Sequence, residues 1–276
     1  MLVLPTLSAT RYVQPLREGG SLPAVVETAD GSLYVVKFRG AGHGAKALVA
    51  ELLCGLLAST LGLPTPAPAV VDVAPSFGAA EPDPEIQHIL SGSHGLNVGA
   101  AYLDGAFNFD ASAAGDLISP PLAARIVWFD AYVTNPDRTH RNPNLLIWRR
   151  APWLIDHGSA LYAHHDWRGV DLERTRTAFP LIRQHVLLGR TSDDEMWAAD
   201  RELAARLGGS AIDEILALIP DSWLSDAGEP SPAAQRDRYR TYLRERLAAP
   251  REFVAEAIRA RIELAERPLR PMRARR

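Results

Sequence analysis

The sequence predicts an α+β fold of two lobes, with strands concentrated in the first third of the chain and helices in the last half. Two observations support this prediction. Strand-like runs at 22–28 and 32–38 flank Asp30-Gly31, a dipeptide typical of β-hairpin turns. Beyond residue 193, apolar residues recur at three- and four-residue spacing, which is the pattern of amphipathic helices.

The elements between these two ends follow from apolar runs and their stop signals. A helix is predicted from Ala47 to Leu61, because Gly62 and the prolines after it prevent its continuation. A second helix is expected from a cap at Ser119 to about Val133. The remaining predicted elements are a strand at 70–73, a loop at 74–84, two strands at 144–148 and 153–155, and helices at 193–207, 211–218, 232–247 and 251–266.

The boundary between the lobes is placed near residues 92–100, where the strand-rich part gives way to the helical part. This gives an N-lobe over 1–96 and a C-lobe over 97–276. The arginine-rich stretch 267–276 is predicted to be a solvated basic tail, with binding to an acidic partner as the alternative.

Composition excludes several classes of function. A net charge of −3 gives no electrostatic basis for nucleic-acid binding by the whole molecule. The single cysteine, Cys54, cannot form an intrachain disulfide and is consistent with a reducing compartment. The chain shows neither a signal-peptide pattern nor an apolar run of about 18 residues, so we expect a cytoplasmic protein that does not enter the membrane.

The stretch 135–142 carries the first candidate site residues. The residue before Pro136 is disfavoured in a helix, so Asp137 is expected on a loop, where catalytic groups tend to lie. Asn142 follows five residues later, and Asp156 ends a hydrophobic strand. Each of these residues alone would be explained as a turn or cap residue. Together they supply a base for a hydroxyl and two oxygen ligands for Mg²⁺, the equipment of a kinase-type phosphotransferase.

Lys37 and Glu51 are the expected partners of these residues. Lys37 ends a strand, where it could reach phosphate oxygens or simply lie in solvent. Glu51 is the only charged residue between Ala47 and Leu63, in a helix that is apolar nearly all round. A buried carboxylate needs a partner, so we expect a Lys37–Glu51 ion pair, with exposure of Glu51 or pairing with Lys46 as the alternative.

The two strands around residue 150 suggest how Asn142 and Asp156 meet. If their turn centres on Arg150, Leu145 pairs with Asp156, and Asn142 lies at the same end of the hairpin. One amide oxygen and one carboxylate would converge there, a ligand set that suits magnesium bound to nucleotide phosphates.

Two glycine-containing segments give weaker signals. Gly19, Gly20 and Ser21 precede the first hairpin strand, where a loop covering the phosphates would belong. The segment from Gly40 to Lys46 lacks the Gly-Lys-Ser/Thr ending of a P-loop. It is predicted to be a connector, with Lys46 as a further phosphate contact in the alternative.

The sequence resembles the HipA-like kinases, especially their short branch with a single kinase domain. The central stretch 135–142 is the specific part of this resemblance, and weaker similarity continues through Trp223 into the last helices, so nearly the whole chain is covered. The other matching segments are Asp30-Gly31 with 34–38, Glu51 with 61–64, 144–146 and 154–161.

The resemblance implies a bilobal protein-kinase-like fold that uses ATP and Mg²⁺. It implies that Lys37 and Glu51 form the phosphate-binding pair, that Asp137 is the catalytic base, and that Asn142 and Asp156 hold magnesium. The sequence departs from ordinary protein kinases at Asn135, where they have histidine, and at His157, where they have phenylalanine. It also lacks the Ala-Pro-Glu sequence after Gly158, which puts conventional peptide docking in doubt.

The leading hypothesis is an ATP- and Mg²⁺-dependent phosphotransferase that acts on serine or threonine hydroxyls of proteins. A small-molecule hydroxyl kinase is one alternative, and a nucleotide-binding scaffold without turnover is the other. The expected partners are a protein or small-molecule acceptor and a small protein partner, with no membrane and no direct nucleic-acid binding.

Overall fold

A computed structural model describes residues 3–16, 22–41, 44–79, 81–225 and 231–266. Within them, one group of strands closes into a barrel in the order β1-β2-β3-β5-β4, and β4 pairs back in parallel with β1. The barrel strands are β1 (Thr6–Pro15), β2 (Ala24–Thr28), β3 (Leu33–Lys37), β4 (Pro68–Val73) and β5 (Gly95–Ala101). A second sheet contains β6 (Phe107–Asn108), β7 (Leu145–Trp148) and β8 (Ala151–Leu154).

The helices agree closely with the predicted apolar periodicity in the last part of the chain. The described helices are α1 (Gly44–Thr60), α2 (Pro84–Ser91), α3 (Ala111–Ala114), α4 (Pro120–Tyr132), α5 (Leu172–Thr175), α6 (Asp193–Arg206), α7 (Ala211–Ala217), α8 (Pro232–Leu247) and α9 (Glu252–Glu266). Short 3₁₀ turns lie between several of them, the longest at Tyr162–Gly169. None of the described helices has both the length and the apolar composition that a membrane crossing requires.

The β2–β3 hairpin is confirmed, and its turn has a local chemical cause. Gly31 has a φ of +80°, which glycine adopts without strain. Asp30 accepts hydrogen bonds from the Thr28 hydroxyl at 2.6 Å and from the backbone N–H of Ser32 at 3.0 Å. These contacts fix the register of β3 and therefore the position of Lys37 at its end.

Strand β5 is an element that sequence reasoning missed. Its glycines argue against a strand on propensity, but the barrel requires one of them. A Cβ atom at Gly99 would lie 2.8 Å from the Val71 side chain, so only glycine lets β5 approach β4 this closely. The predicted boundary between residues 96 and 97 falls inside β5, which pairs with both β3 and β4. The division into two lobes stays a prediction.

Helices α1 and α4 form the centre of the large hydrophobic core. Both are apolar nearly all round, and Leu52 and Leu56 of α1 share this core with Trp128 and Phe129 of α4. The cap position of α4 is Ser119, as predicted, although its side chain makes no capping hydrogen bond. The last turn of α4 is therefore buried in the core at the point where the loop at 135–142 begins.

A buried arginine fixes the end of α4. Arg246 of α8 is 2% exposed, and its guanidinium donates to the carbonyls of Tyr132 at 2.6 Å and Ala131 at 2.7 Å. It also donates to the carbonyl of Thr175 at 2.8 Å. The last carbonyls of a helix have no partner within the helix, so this side chain satisfies them and ties α4 to the segment around α5.

The β7–β8 hairpin corrects the predicted register. Leu145 pairs with Leu154, not with Asp156, and the turn consists of Arg149 and Arg150. Their φ values are 49° and 62°, as in the two-residue hairpin turns whose twist matches that of the strands. The predicted turn centred on Arg150 is therefore wrong. The residue opposite Leu145 lies two positions earlier in the sequence than predicted. Asp156 lies just beyond β8, outside the ladder.

Candidate active site

Three charged side chains from distant parts of the chain meet at one point. Lys37 Nζ lies 2.7 Å from Glu51 Oε2 and 2.5 Å from Asp156 Oδ1. The lysine comes from the end of β3, the glutamate from α1, and the aspartate from the segment after β8. The structure therefore contains the predicted Lys37–Glu51 ion pair, and Asp156 joins it. We call these three residues the ion-pair cluster.

Burial and charge act in opposite directions on the cluster. Burial alone would lower the pKa of Lys37, but the two carboxylates outweigh it and raise that pKa above its usual value. Burial would raise the pKa of Asp156, and the Lys37 charge reverses this and lowers it. Burial raises the pKa of Glu51, while the charge of Lys37 acts against that rise. The cluster is thus held by the attraction of both carboxylates to one lysine, and the charge of Asp156 adds to the rise in the Glu51 pKa.

The backbone around Asp156 is shaped to hold the cluster. Asp156 has a φ of +55°, a left-handed conformation that costs a non-glycine residue free energy. The next residue, His157, donates its backbone N–H to Glu51 Oε2 at 2.8 Å. A Cβ atom at Gly158 would lie 3.5 Å from Lys37 Nζ, so the chain passes directly over the ion pair.

Asp137 lies on the loop after α4 and is held by two amides. Asn142 Nδ2 is 3.0 Å from Asp137 Oδ2, and Asn144 Nδ2 is 3.2 Å from the same oxygen. The backbone N–H of Asp137 donates to Asn135 Oδ1 at 3.1 Å. The structure thus places Asn142 in contact with Asp137 and adds Asn144, which is not among the predicted site residues.

A second cluster of polar and charged side chains anchors this loop to the core. We call it the loop base, and it consists of Asp130, Asn135, Arg138 and His185. Asp130 Oδ2 is 2.6 Å from Arg138 Nε and 2.9 Å from His185 Nε2, and its other oxygen accepts from Asn135 Nδ2 at 2.9 Å. Burial alone would raise the pKa of Asp130, but Arg138 and His185 lower it below its usual value. All four side chains are buried.

Arg138 links the loop base to the strands of the hairpin. Its guanidinium donates to the backbone carbonyl of Asn144, and to that of Ile155 at 3.3 Å. Ile155 is the residue immediately before Asp156. One buried arginine therefore connects the loop that carries Asp137 with the segment that carries Asp156.

The ion-pair cluster opens onto a cavity of about 860 Å³ between the barrel and the β6–β7–β8 sheet. Lys37, Glu51 and Asp156 line it together with Asn142 and Asn144. Its apolar walls include Val35, Val98, Ala100, Leu145 and Leu154. A cavity of this size, largely apolar with a few convergent polar groups, is typical of a small-molecule site. Asp137 is not in its wall; its two amide partners are.

The oxygen donors present fit magnesium bound together with a nucleotide. Mg²⁺ is usually held by one or two protein groups and by substrate phosphates, and Asn142 and Asp156 supply an amide and a carboxylate to one cavity. Among the described residues, no three His, Cys, Asp or Glu side chains form a metal site of their own. A site completed by phosphates is consistent with both facts.

Some predicted positions cannot be placed in this site. Gly19, Gly20 and Ser21, and the basic stretch 267–276, lie outside the described residues. Lys46 lies in the first turn of α1 and is not among the residues that line the cavity.

A barrel with a lysine–glutamate pair, facing a loop with an aspartate and an asparagine, defines a phosphotransferase of the kinase-like class. The family model of the HipA-like kinases matches residues 10–249, and the chain belongs to this family. Members of a kinase family use a nucleotide and a metal ion in general, which agrees with the character of the cavity.

Similar folds are found among solved structures. The chain is similar to the crystal structure of the Helicobacter pylori proinflammatory kinase CtkA, with a TM-score of 0.55 and 15% sequence identity. The match covers 96% of this chain and 100% of that one. A search of curated proteins finds no match. At this identity the likeness supports the kinase-like fold, and the residue roles depend on the geometry above.

Proposed function

We propose that this protein transfers the γ-phosphoryl group of ATP to a serine or threonine hydroxyl of a protein, with Asp137 as the general base. The observation that carries the proposal is the convergence of two groups at one cavity. The ion-pair cluster lines this cavity, and so do Asn142 and Asn144, the two amide partners of Asp137. Phosphoryl transfer requires chiefly positioning and charge compensation, and these two groups supply both.

In the proposed step, the acceptor hydroxyl gives its proton to Asp137 as its oxygen forms a bond to the γ-phosphorus. The bond between that phosphorus and the β,γ-bridging oxygen breaks, and ADP leaves with the bonding electron pair. The products are ADP and a phosphoester, with the proton on Asp137. Asp137 Oδ2 is occupied by two amides, so the other oxygen, Oδ1, is the one that receives the proton.

Asn142 and Asp156 would hold magnesium, which neutralises phosphate charge and aligns the γ-phosphoryl group when it is bound. Lys37 would exchange its contact with Asp156 for phosphate oxygens while Glu51 keeps it in place. Arg141 also lines the cavity, and within the described ranges no ion pair engages it. Its charge is therefore free to compensate the phosphates.

A protein acceptor is preferred to a cationic metabolite because of the charges in the cavity. A pocket for a cationic metabolite would present unpaired carboxylates. Among the described residues that line the cavity, the acidic ones are Glu51 and Asp156, and both contact Lys37. The buried thiol of Cys54 is consistent with a cytoplasmic protein, and we place the reaction there.

The test is a comparison of the intact protein with Asp137→Ala. With γ-labelled ATP and Mg²⁺, we expect acid-stable label on serine or threonine for the intact protein and none for the variant. A phosphoproteomic comparison of cells that express each form should show serine and threonine sites that depend on Asp137. Label transfer that survives Asp137→Ala unchanged would refute Asp137 as the base, and ATP-dependent products confined to metabolites would refute the protein acceptor.

A further inference from the structure

Asn144 combines a left-handed backbone conformation with a buried side chain that contacts Asp137. It is 9% exposed, directly precedes β7, and has a φ of +47°. Its side-chain amide points at Asp137, with Nδ2 3.2 Å from Oδ2 and 3.5 Å from the Asp137 carbonyl. Asparagine is among the few residues that tolerate the left-handed conformation, so the backbone selects a residue that can also donate this hydrogen bond.

The backbone of Asn144 is held from two directions. Its carbonyl accepts from the Arg138 guanidinium and from the backbone N–H of Ile155 at 3.1 Å. Arg138 is in turn paired with Asp130. Because all these groups are buried or part of the hairpin, the position of the Asn144 amide is fixed by the loop base and not by the nucleotide.

Asn142 differs in each of these respects, although it donates to the same oxygen. It is exposed, and the oxygen of its amide is the one assigned to magnesium. When metal and nucleotide enter and leave, the contact of Asn142 with Asp137 is subject to change, whereas that of Asn144 is not. No described residue donates to Asp137 Oδ1, so the two amides together leave this oxygen for the acceptor.

We infer that Asn144 is a positioning residue for the catalytic base: it holds Asp137 Oδ2 so that Oδ1 faces the acceptor hydroxyl throughout the cycle. The inference rests on the proposed function, because it requires Asp137 to be the base. It assigns different roles to two neighbouring asparagines. Asn142 acts on the metal and the nucleotide, and Asn144 acts on the base alone.

The experiment compares Asn144→Gly with Asn142→Ala. Glycine keeps the left-handed backbone and removes only the side-chain donor. Turnover of γ-labelled Mg-ATP, counted as label on the protein plus released phosphate, should fall in kcat for Asn144→Gly on the order of 10- to 100-fold, the range for a hydrogen bond to a charged group. The Kd for Mg-ATP should stay at the wild-type value. Asn142→Ala should instead weaken Mg-ATP binding.

A double variant separates positioning from a merely structural effect. If Asn144 acts through Asp137, adding Asn144→Gly to Asp137→Asn should cost no further rate, because the carboxylate that it orients is gone. A multiplicative loss in the double variant would overturn the inference, as would wild-type kcat in Asn144→Gly or a loss of Mg-ATP affinity equal to that of Asn142→Ala.

Two further results complete the design. Asn144→Asp retains the side-chain shape and the tolerance for the left-handed backbone, so it tests the contact without the added backbone freedom of glycine; thermal unfolding shows whether each variant is folded before its kcat is compared. It places a carboxylate against Asp137 and should lose more kcat than the glycine variant; wild-type kcat would count against the inference. If Asp137→Asn alone keeps full turnover, the proposed function itself fails, and this outcome is distinct from a failure of Asn144→Gly.

Discussion

The ion-pair cluster and the loop base are both built from paired charges, but they differ in exposure. The side chains of the ion-pair cluster open onto the cavity, with that of Asp156 39% exposed. In the loop base, the side chains of Asp130 and Arg138 are 0% exposed, and each is satisfied from several directions. The first group can exchange a partner for a phosphate, whereas the second cannot exchange anything without leaving a buried charge. Phosphoryl transfer uses both properties: a lysine that can move onto the phosphates, and a rigid support for the loop that carries Asp137.

The largest predicted effect is the loss of the loop base. Asp130→Asn should lower the free energy of unfolding by about 3–5 kcal/mol, because Arg138 becomes an uncompensated buried cation. Denaturant unfolding measures this change. Glu27→Gln, in the exposed Arg11–Glu27 pair, is the matched control and should cost about 0–1 kcal/mol. Equal losses in the two variants would show that burial does not distinguish them.

Removing the movable cation should weaken ligand binding. Lys37→Met should weaken Mg-ATP binding on the order of 10- to 100-fold, since a hydrogen bond between charged groups is lost and two carboxylates then face the phosphates. Titration calorimetry measures the Kd. Lys46→Met makes the same chemical change outside the cavity wall and should leave the Kd near the wild-type value. A stronger effect at Lys46 would exchange the roles of the two lysines.

The smallest predicted effect is on the pH dependence of stability and comes from His185 in the loop base. Burial lowers the pKa of His185 and outweighs the opposing effect of Asp130. Geometry agrees, because its Nδ1 accepts the backbone N–H of Leu187 at 3.1 Å and so carries no proton. The unfolded chain therefore binds a proton first, and stability present above pH 6.5 is lost as the pH falls below it.

The slope from this one group is at most about 1.4 kcal/mol per pH unit. His185→Gln keeps a donor for Asp130 but cannot take up a proton, so it should reduce the slope of unfolding free energy between pH 7 and pH 5. A part of the slope should remain, because burial also lowers the pKa of His157 and of His164. An unchanged slope in the variant would place the titration elsewhere.

The ion-pair cluster could be predicted because a lone carboxylate in an apolar helix requires a partner. Glu51 gave that signal in α1. Asp130 is a lone carboxylate in the apolar helix α4, and the same argument would have found the loop base. Of its partners, Arg138 is close to Asp130 in sequence, whereas His185 is 55 residues away, so only the fold reveals the pairing with His185.

Other features depend on tertiary structure in ways that local patterns do not show. Strand β1 alternates polar residues with a few apolar ones and gains its partners only when the barrel closes. The Arg149–Arg150 turn lacks the Asn-Gly or Asp-Gly signal of its conformation, so the register of β7 and β8 was predicted wrongly. The role of Asn144 became visible only when its amide was placed against Asp137.

The most direct test of the account is the single-turnover rate of label transfer from γ-labelled Mg-ATP by Asp137→Asn, measured together with its affinity for Mg-ATP. We expect wild-type affinity and transfer slower on the order of 10²- to 10⁴-fold, because a positioned general base is lost while the nucleotide site remains. Transfer at the wild-type rate by a variant that binds Mg-ATP normally would contradict it.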